Sequence, residues 1–246
     1  MEILVNKKII LANFLEPISR FSDQVIINFH ADYMDCISYM TDDKQSIILY
    51  SRLKLSHNDE IKEPLKLNVG SLRKLIQAFR CIPDEIIKLN VSDKVISYKS
   101  DATQFRFHLK EDGVIEKPVF NLEKIEKIQF DLKFDITFTN IQEILRAGSF
   151  CSESNKIYIY ADDARNIVAD ITDKTIQNVD KMSIQICDSY IGEKLDHDTI
   201  LKIDIFKLLA ALKQKCSVSI NKDGVVLFEI ADEWCVIKYI TTSLIK

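Results

Sequence analysis

The sequence has few glycines and prolines, which interrupt regular structure, and few cysteines, which could cross-link it. It contains five glycines and four prolines among 246 residues, and no stretch is dominated by a few residue types. Its six cysteines stand singly, without a CxxC pair, which disfavours a disulfide framework and a metal site and indicates reduced core thiols. These shortages exclude low-complexity linkers and predict a chain that is folded nearly throughout.

Long apolar runs and an export signal are missing as well. Met1 is followed by Glu2 and by the pair Lys7-Lys8, and every apolar run is far shorter than the about 20 residues of a membrane-spanning helix. The net charge of -4 and the isoelectric point near 5.7 argue against a surface that is basic throughout. We expect a protein that is not secreted, has no membrane partner, and confines any nucleic-acid contact to a local basic stripe.

Apolar residues make up 47% of the chain, enough for a large core, and their pattern occurs twice. Segments from Ser71 and from Asp204 start 133 positions apart (204 − 71), and each opens with a residue that favours a helix N-cap. Apolar residues then recur at i, i+3, i+4 and i+7, which predicts two amphipathic helices. Their buried stripes would be Leu72, Leu75, Ile76 and Phe79 in the first and Ile205, Leu208, Leu209 and Leu212 in the second.

Each half also opens with a helix and contains several strands. The opening helices are predicted near residues 8–15 and 140–147; Pro17 should end or kink the first, and Thr139 with Gln142 should form a capping box for the second. Asp223-Gly224 predicts a tight hairpin between two strands of the second half. The predicted strands are 25–29, 35–40, 86–91, 95–99 and 104–109 in the first half and 156–160, 165–171, 218–220, 225–230 and 234–240 in the second.

A segment with mixed charge, Gly113 and Pro118 separates the two halves and is predicted to connect them over residues 112–128. The domains would therefore be 1–111 and 129–246. This order of elements predicts an α+β protein made of two similar domains, each with two helices packed on antiparallel sheets.

The parts of an enzyme are hard to find in the sequence. The four histidines show no metal-ligand spacing, and neither an HExxH motif nor a phosphate-binding glycine loop occurs. The pairs Asp42-Asp43 and Asp162-Asp163 keep a metal-dependent nuclease open as an alternative, although aspartates beside turns commonly serve backbone geometry. We predict no catalytic residues, no metal and no cofactor.

The repeated order of helix and strands, with a connector between the halves, resembles the DNA sliding clamp family, which includes proliferating cell nuclear antigen and the T-even-type phage polymerase clamps. The resemblance covers nearly the whole chain. It implies a duplicated clamp domain that assembles into a ring. The segments that carry it are residues 67–78 with 84–90, the loop 40–44, the strand region 181–192, and Ile237-Lys238-Tyr239-Ile240 near the end.

The resemblance also implies where DNA would be held. Clamp helices line the hole of the ring, and a ring that slides needs cations facing phosphates rather than contacts that read bases. Lys74 matches Lys207 and Arg80 matches Lys213 in the two repeated helices. The first helix departs from the family in having fewer cations, with Lys7 and Lys8 only at its start. The expected DNA-binding residues are Lys7, Lys74, Arg80, Arg146, Lys207 and Lys213.

Two further surfaces follow from the resemblance. Ring closure would pair a strand at 104–110 with one at 181–188 of the next subunit, and each strand alternates apolar with polar residues. The expected subunit-interface residues are Phe105, Phe107, Leu109, Met182, Ile184 and Ile186. Clients would bind an apolar surface beneath the connector. The expected client-binding residues are Met40, Val119, Phe120, Leu122, Ile125, Tyr239 and Ile240.

The function implied is that of a DNA polymerase sliding clamp, or processivity factor, a homotrimer around duplex DNA at the site of replication in the cytoplasm or nucleoid. Its partners would be duplex DNA of any sequence, further copies of itself, a DNA polymerase and a clamp loader. A phage or viral source would fit this resemblance. A clamp-fold transcription or scaffold factor that forms no closed ring remains the alternative, and a metal-dependent nuclease remains a more distant one.

Overall fold

The computed structural model describes residues 1–42, 45–56, 61–116 and 125–244. Within it the chain forms two compact units. Unit 1 comprises Met1–Met40, Ile48–Val119 and Ala231–Ile237, and unit 2 comprises Thr41–Ile47, Phe120–Ile230 and Lys238–Lys246. Each unit thus includes one short segment from the other half of the sequence, Ala231–Ile237 in unit 1 and Thr41–Ile47 in unit 2. A single boundary in the sequence cannot separate the two units. The predicted domain limits at residues 111 and 129 stay a prediction.

Unit 1 contains two antiparallel arrays of strands. The first is a four-stranded sheet in the order β1-β6-β7-β8, so that β1 and β8 form its edges; its strands are β1 (Glu2–Asn6), β6 (Ile86–Val91), β7 (Val95–Lys99) and β8 (Gln104–His108). The second has the order β4-β3-β2-β5; its strands are β2 (Val25–Phe29), β3 (Tyr33–Asp42), β4 (Gln45–Lys54) and β5 (Leu65–Val69).

The helices of unit 1 begin at side-chain caps. The Asn6 side chain caps α1 (Lys7–Ile10), which continues through a π-helical segment (Leu11–Leu15) into α2 (Glu16–Phe21). Ser71 Oγ accepts the Lys74 N–H at the start of α3 (Leu72–Arg80), and the stripe predicted for α3 is buried. Of the end or kink predicted at Pro17, the end does not occur, because Pro17 lies in the first turn of α2, where a proline is tolerated; the helix is instead irregular in the π-helical segment just before it.

Unit 2 repeats this plan. One four-stranded sheet has the order β12-β11-β10-β14, and its strands are β10 (Lys156–Ala161), β11 (Ile167–Ile171), β12 (Met182–Cys187) and β14 (Thr199–Lys202). A second array has the order β13-β9-β15-β16-β17, and its strands are β9 (Leu132–Ile136), β13 (Ile191–Gly192), β15 (Cys216–Ile220), β16 (Val225–Ala231) and β17 (Cys235–Thr242). Gly224, at φ 84°, turns the predicted hairpin between β15 and β16.

The helices of unit 2 correct two predicted helix starts. The capping box of α4 (Phe138–Phe150) is formed by Thr137 and Asn140 rather than by Thr139 and Gln142. Asp204 is the first residue of α5 (Asp204–Ala210) rather than its N-cap. Its carboxylate instead contacts Lys207 Nζ at 2.6 Å, and this contact lowers the pKa of Asp204.

The end of α5 also differs from prediction, because α5 stops at Ala210. Lys213 follows it in a left-handed conformation, at φ 54°. The buried stripe of α5 is Ile205, Phe206 and Leu209, and the expected members Leu208 and Leu212 are only half-buried. The predicted α+β class, with few helices on antiparallel sheets in two similar halves, is confirmed.

Candidate functional site

Helix α3 presents a cationic face to solvent, opposite its buried stripe. Its exposed positions are Arg73, Lys74, Gln77 and Arg80, and none of them is acidic. Arg80 Nη2 lies 2.7 Å from Glu16 Oε1 of α2, so part of its charge is compensated within unit 1. Within the described ranges, the side chains of Arg73 and Lys74 have no ion-pair partner. Two full positive charges on this face are therefore available to a ligand.

The first helical run contributes differently from the prediction. Lys7 Nζ donates to the carbonyl of Ile82 at 2.6 Å and to that of Pro83 at 3.4 Å, so it satisfies carbonyls just after α3 rather than presenting a free charge. Lys8 and Arg20 are exposed on the same run. The expected cation set omitted these two residues as well as Arg73, because four of its six members were chosen as matched positions in the two repeated helices.

Unit 2 places the three remaining expected cations at exposed positions. Arg146 lies on α4 and shows no ion-pair partner among the described residues. Lys207 on α5 is paired with Asp204, and the pair is largely solvated, so the contact holds the Lys207 side chain only weakly. Lys213 lies beyond α5, so its predicted equivalence to Arg80 on a helix is wrong, although its side chain is exposed.

Strand β8 forms one open edge of its sheet, and its apolar side chains face inwards. Phe105 stacks with Tyr98 and approaches Phe79 of α3, at ring-centroid distances of 6.1 and 6.0 Å. Phe105, Phe107 and Leu109 are all half-buried. Side chains on the last strand of a sheet have neighbours on one side only, and a further strand would complete their burial.

The hydrogen-bond phase of β8 shows which backbone groups face the open edge. Leu109 N donates to Lys94 O at 2.9 Å, which identifies this pair as a hydrogen-bonded pair of the β7–β8 ladder. Such pairs alternate along an antiparallel ladder, so odd-numbered residues of β8 bond to β7. The residues that direct their N–H and C=O groups to the open edge are therefore Gln104, Arg106 and His108.

Strand β12 is the corresponding open edge in unit 2. Asp162 N donates to Asn166 O at 2.9 Å, so even-numbered residues of β11 form the backbone hydrogen bonds to β10. Odd-numbered residues of β11 therefore bond to β12 on the other side, and Ala169 pairs in this way with Ile184. On the same face, Ile186 is buried, Ile184 half-buried and Met182 exposed. The residues of β12 that direct backbone groups to the open edge are Ser183 and Gln185.

The β8 and β12 edges can pair, because their outward-directed backbone groups can be placed opposite each other while their apolar side chains lie on the same side. In an antiparallel pair, opposite residues share a face, and outward-directed residues must meet outward-directed residues. Arg106 of one chain can thus lie opposite Ser183 or Gln185 of another. Every such register also sets apolar residues of β8 opposite apolar residues of β12, on the side where α3 and α4 pack.

The expected client surface is only partly described. Val119, Phe120 and Leu122 lie outside the described residues. Met40 is 38% exposed and Ile125 is half-buried. Tyr239 and Ile240, at 1% and 3% exposure, belong to the core of unit 2, so their assignment to a contact surface is corrected. The hydrophobic character of a strand residue does not reveal whether its face is covered, which is why the sequence suggested them.

The start of the connector, residues 112–116, is held against β3 of unit 1 by a hydrogen bond. Tyr39 Oη donates to Glu116 Oε2 at 2.6 Å, and this hydrogen bond raises the pKa of Tyr39. The neighbouring Ile115 is 7% exposed. The connector therefore begins beside Tyr39 of β3, whereas Met40, the next residue of the strand, directs its side chain to the opposite face.

The aspartate pair 162–163, one of the two pairs that suggested a metal-dependent nuclease, has a structural role. Asp162 accepts the backbone N–H and the side-chain amide of Asn166, at 2.8 and 2.9 Å, and these bonds lower the pKa of Asp162. Asp163 pairs with Lys194 at 2.6 Å. Asp43 lies outside the described residues. Within the part of the chain described, no three acidic, histidine or cysteine side chains converge as a metal site, and no helix is long and apolar enough to cross a membrane.

Solved structures with the same fold are DNA sliding clamps. A structure of A. fulgidus PCNA with the C-terminal region of FEN-1 superposes with a TM-score of 0.76 at 11% identity, covering 100% of this chain and 98% of that one. The PCNA2–PCNA3 complex of Sulfolobus tokodaii gives 0.68 at 10%, covering 99% of each chain. The DNA polymerase III beta subunit of Thermotoga maritima gives 0.71 at 10%, covering 100% of this chain and 66% of that one.

No protein-family model matches the sequence, and no curated protein matches it. At these identities the likeness to solved structures is one of fold. The resemblance inferred from the order of elements is thereby confirmed at the level of fold.

Proposed function

We propose that this chain, which has the sliding-clamp fold, is the subunit of a homotrimeric ring that encircles duplex DNA and tethers a DNA polymerase and other clients. The observation that carries the proposal is the pair of open edges, β8 and β12. They agree in hydrogen-bond phase and in the face that is apolar. Two units per chain require three chains to reach the six-domain ring that the resemblance implies.

The edges support a ring better than a two-fold dimer. The β8 edge and the β12 edge are different surfaces, so each chain would offer β8 to one neighbour and β12 to the other. A head-to-tail contact of this kind generates a closed ring when its rotation is one third of a turn. Such a contact would also cover the half-buried Phe107 and Ile184.

In the proposed ring the helices face DNA. The unpaired cations Arg73, Lys74 and Arg146 would contact phosphates, with Arg80 and Lys207 exchanging their intramolecular carboxylate partners for phosphate oxygens. None of these contacts requires a base edge, so binding would be independent of sequence. The net charge of -4 would then reside mainly on the outer surfaces.

We further propose that clients bind through the expected connector residues Val119, Phe120, Leu122 and Ile125, with Met40 of unit 1 as a further contact. Met40 is 38% exposed, and an exposed apolar side chain is typical of a peptide-binding surface. A clamp loader would open the ring at one β8–β12 seam. No catalytic role is proposed.

A mass measurement in solution tests the ring. Light scattering at micromolar concentration should give three times the chain mass of 28.4 kDa. Phe107→Asp and Ile184→Asp should each give folded monomers, because the charge would be buried at the seam. Ile176→Asp, at an apolar residue that is already 51% exposed, is the matched control and should remain trimeric. A native monomer would contradict the ring and favour a clamp-fold transcription or scaffold factor.

A further inference from the structure

A second apolar surface lies in unit 1, at the sheet edge opposite β8. Leu4 and Ile86 are 55% and 57% exposed, and Trp234, the chain's single tryptophan, is 43% exposed. All three line one groove of about 360 Å³, whose lining also includes Ile9 and Leu53. A volume of this size accommodates one large side chain with part of its backbone. Three large apolar residues exposed in one groove call for an explanation that scattered surface residues do not.

The groove runs beside an open backbone edge, because β1 is the edge strand opposite β8. Val91 N donates to Met1 O at 2.9 Å, and Lys7 N donates to Glu85 O at 2.7 Å, so odd-numbered residues of β1 bond to β6. The N–H and C=O groups of Leu4 therefore point away from the sheet. In the described ranges, no strand pairs with this edge.

The other half of the chain shows that such an edge accepts an added strand. In unit 2 the strand before helix α4 is β9, and its corresponding edge is paired antiparallel with the two-residue strand β13, where Ile191 lies opposite Lys133. A short extended segment is thus sufficient to occupy this position of the fold.

The groove of unit 1 is lined in part by the connection that follows β4. The nearest connection, between β4 and β5, contributes Leu55 and Ser56 to the lining. Its next four residues are His57-Asn-Asp-Glu60, all polar, and they offer no apolar side chain. Lys54 is the single charged residue of the lining, and its ammonium group has no partner in the part of the chain described. The groove is therefore complementary to an apolar side chain with a carboxylate close by.

We propose that the β1 edge and this groove form a docking site for an extended segment of a partner protein, which adds as a strand beside Leu4. One bulky apolar side chain of that segment would fill the groove against Ile86 and Trp234, and a neighbouring acidic residue would meet Lys54. The site is separate from the β8 and β12 edges. The docking proposal can therefore be tested independently of the proposed ring.

Selection of peptides tests this site directly. Random 12-residue peptides displayed on phage would be selected on the native protein, and binding of each selected peptide would be followed by Trp234 fluorescence. We expect peptides that share a bulky apolar residue close to an acidic one. Leu4→Glu should weaken their binding at least about tenfold, which corresponds to about 1.4 kcal/mol. Ile176→Ser, another exposed apolar position, should leave it unchanged.

Two further comparisons separate strand addition from simple apolar binding. Two peptides would be compared, one N-methylated at the odd-numbered and one at the even-numbered nitrogens. Only one of the two should lose binding, because only one of the two sets of N–H groups faces β1. Lys54→Glu should weaken acidic peptides and strengthen the same peptides with lysine in place of the acid. Circular dichroism would verify that each variant is folded.

Three outcomes would overturn the proposal. The first is selected peptides that bind Leu4→Glu as well as the native protein, or no selected peptides at all. The second is binding that occurs only after residues 57–60 are replaced, since the chain's own connection would then be the occupant. The third is a change in molecular mass with Leu4→Glu, since a second copy would then fill the groove.

Discussion

Pro17 illustrates how single side chains sustain an irregular stretch of backbone. A proline has no N–H, so Asn13 O lacks the donor that an α-helix would provide at this position. The Cys235 thiol donates to Asn13 O instead, at 2.9 Å, and Glu16 N bonds to Leu11 O across the π-helical segment. Burial raises the pKa of Cys235 to about 12, so the thiol keeps its proton at neutral pH and can serve as that donor.

Residue-level prediction succeeded where local pattern decides the outcome and failed where tertiary packing does. The stripe of α3 follows from spacing alone, and Ser71 is a cap because its side chain serves the first turn directly. For α4, Thr137 and Thr139 are both plausible caps, and only the position of β9 selects Thr137. The burial of Tyr239 depends on what covers β17, which no local pattern contains.

Asp173 provides a test of acid stability at the scale of one carboxylate. Lys156 Nζ lies 2.7 Å from Asp173 Oδ2, and Thr175 donates to the other oxygen, so the pKa of Asp173 is lowered to about 2. A lowered folded-state pKa adds stability above the unfolded pKa near 3.8, and that stability is lost as pH falls through the folded value. The loss should therefore occur between about pH 4 and pH 2.

Urea unfolding of Asp173→Asn over this range checks the effect. We expect the variant to be less stable than the native chain at pH 7 by about 2 kcal/mol and to lose less stability between pH 4 and pH 2. Asp163→Asn is the control, because its carboxylate is fully exposed. Equal acid sensitivity of the native chain and Asp173→Asn would contradict the assignment.

At the scale of elements, strands were predicted where alternation and turn residues mark them locally, whereas β1, β4, β5, β9 and β14 were not predicted. β2, β6 and β7 have the predicted limits, and Gly224 forms the predicted hairpin. Which strands form sheet edges is a property of pairing, and the sequence alone does not contain it. The resemblance to sliding clamps supplied the two proposed seam strands, and the structure places both β8 and β12 at open edges.

A proline at one position of β8 tests the seam without disturbing the subunit. The Arg106 N–H faces the open edge, so Arg106→Pro removes no hydrogen bond within the chain, and proline is tolerated on edge strands in this phase. At the proposed seam, it removes a donor to the next subunit. We expect Arg106→Pro to be monomeric by light scattering, with an unfolding midpoint close to that of a native chain that has been dissociated.

Two variants control for the loss of the side chain and for damage to the strand. Arg106→Ala should remain trimeric, because it keeps the backbone donor. Phe107→Pro should unfold, because that N–H belongs to the β7 ladder. A trimeric Arg106→Pro would show that β8 does not pair with another subunit.

At the scale of the whole molecule, charge is distributed in a way that total composition conceals. The chain carries 37 acidic and 33 basic residues, yet the exposed face of α3 has three cations and no acid. Three subunits would repeat this face around a ring and concentrate positive potential where DNA passes. The sequence indicated the repeated helices, and the i,i+3 spacing of Asp204 and Lys207 is local, but the partner of Arg80 is not, since Glu16 lies 64 positions away in the chain.

The last prediction concerns retention on DNA, where topology and charge make different contributions. A closed ring should remain on nicked circular DNA and slide off linear DNA of the same sequence, because no base contact holds it in place. Arg73→Ala with Lys74→Ala removes two unpaired cations per subunit, hence six per trimer. Each lost phosphate contact should lower the slope of log K against log salt by about 0.9, so the slope should fall by up to about 5. Lys62→Ala with Lys222→Ala, at two exposed lysines away from the helices, removes the same charge as a matched control. If the control flattens the slope as much as the α3 pair does, net charge rather than the cationic face of α3 governs binding. If linear DNA retains the protein as well as circular DNA, the ring does not encircle its substrate.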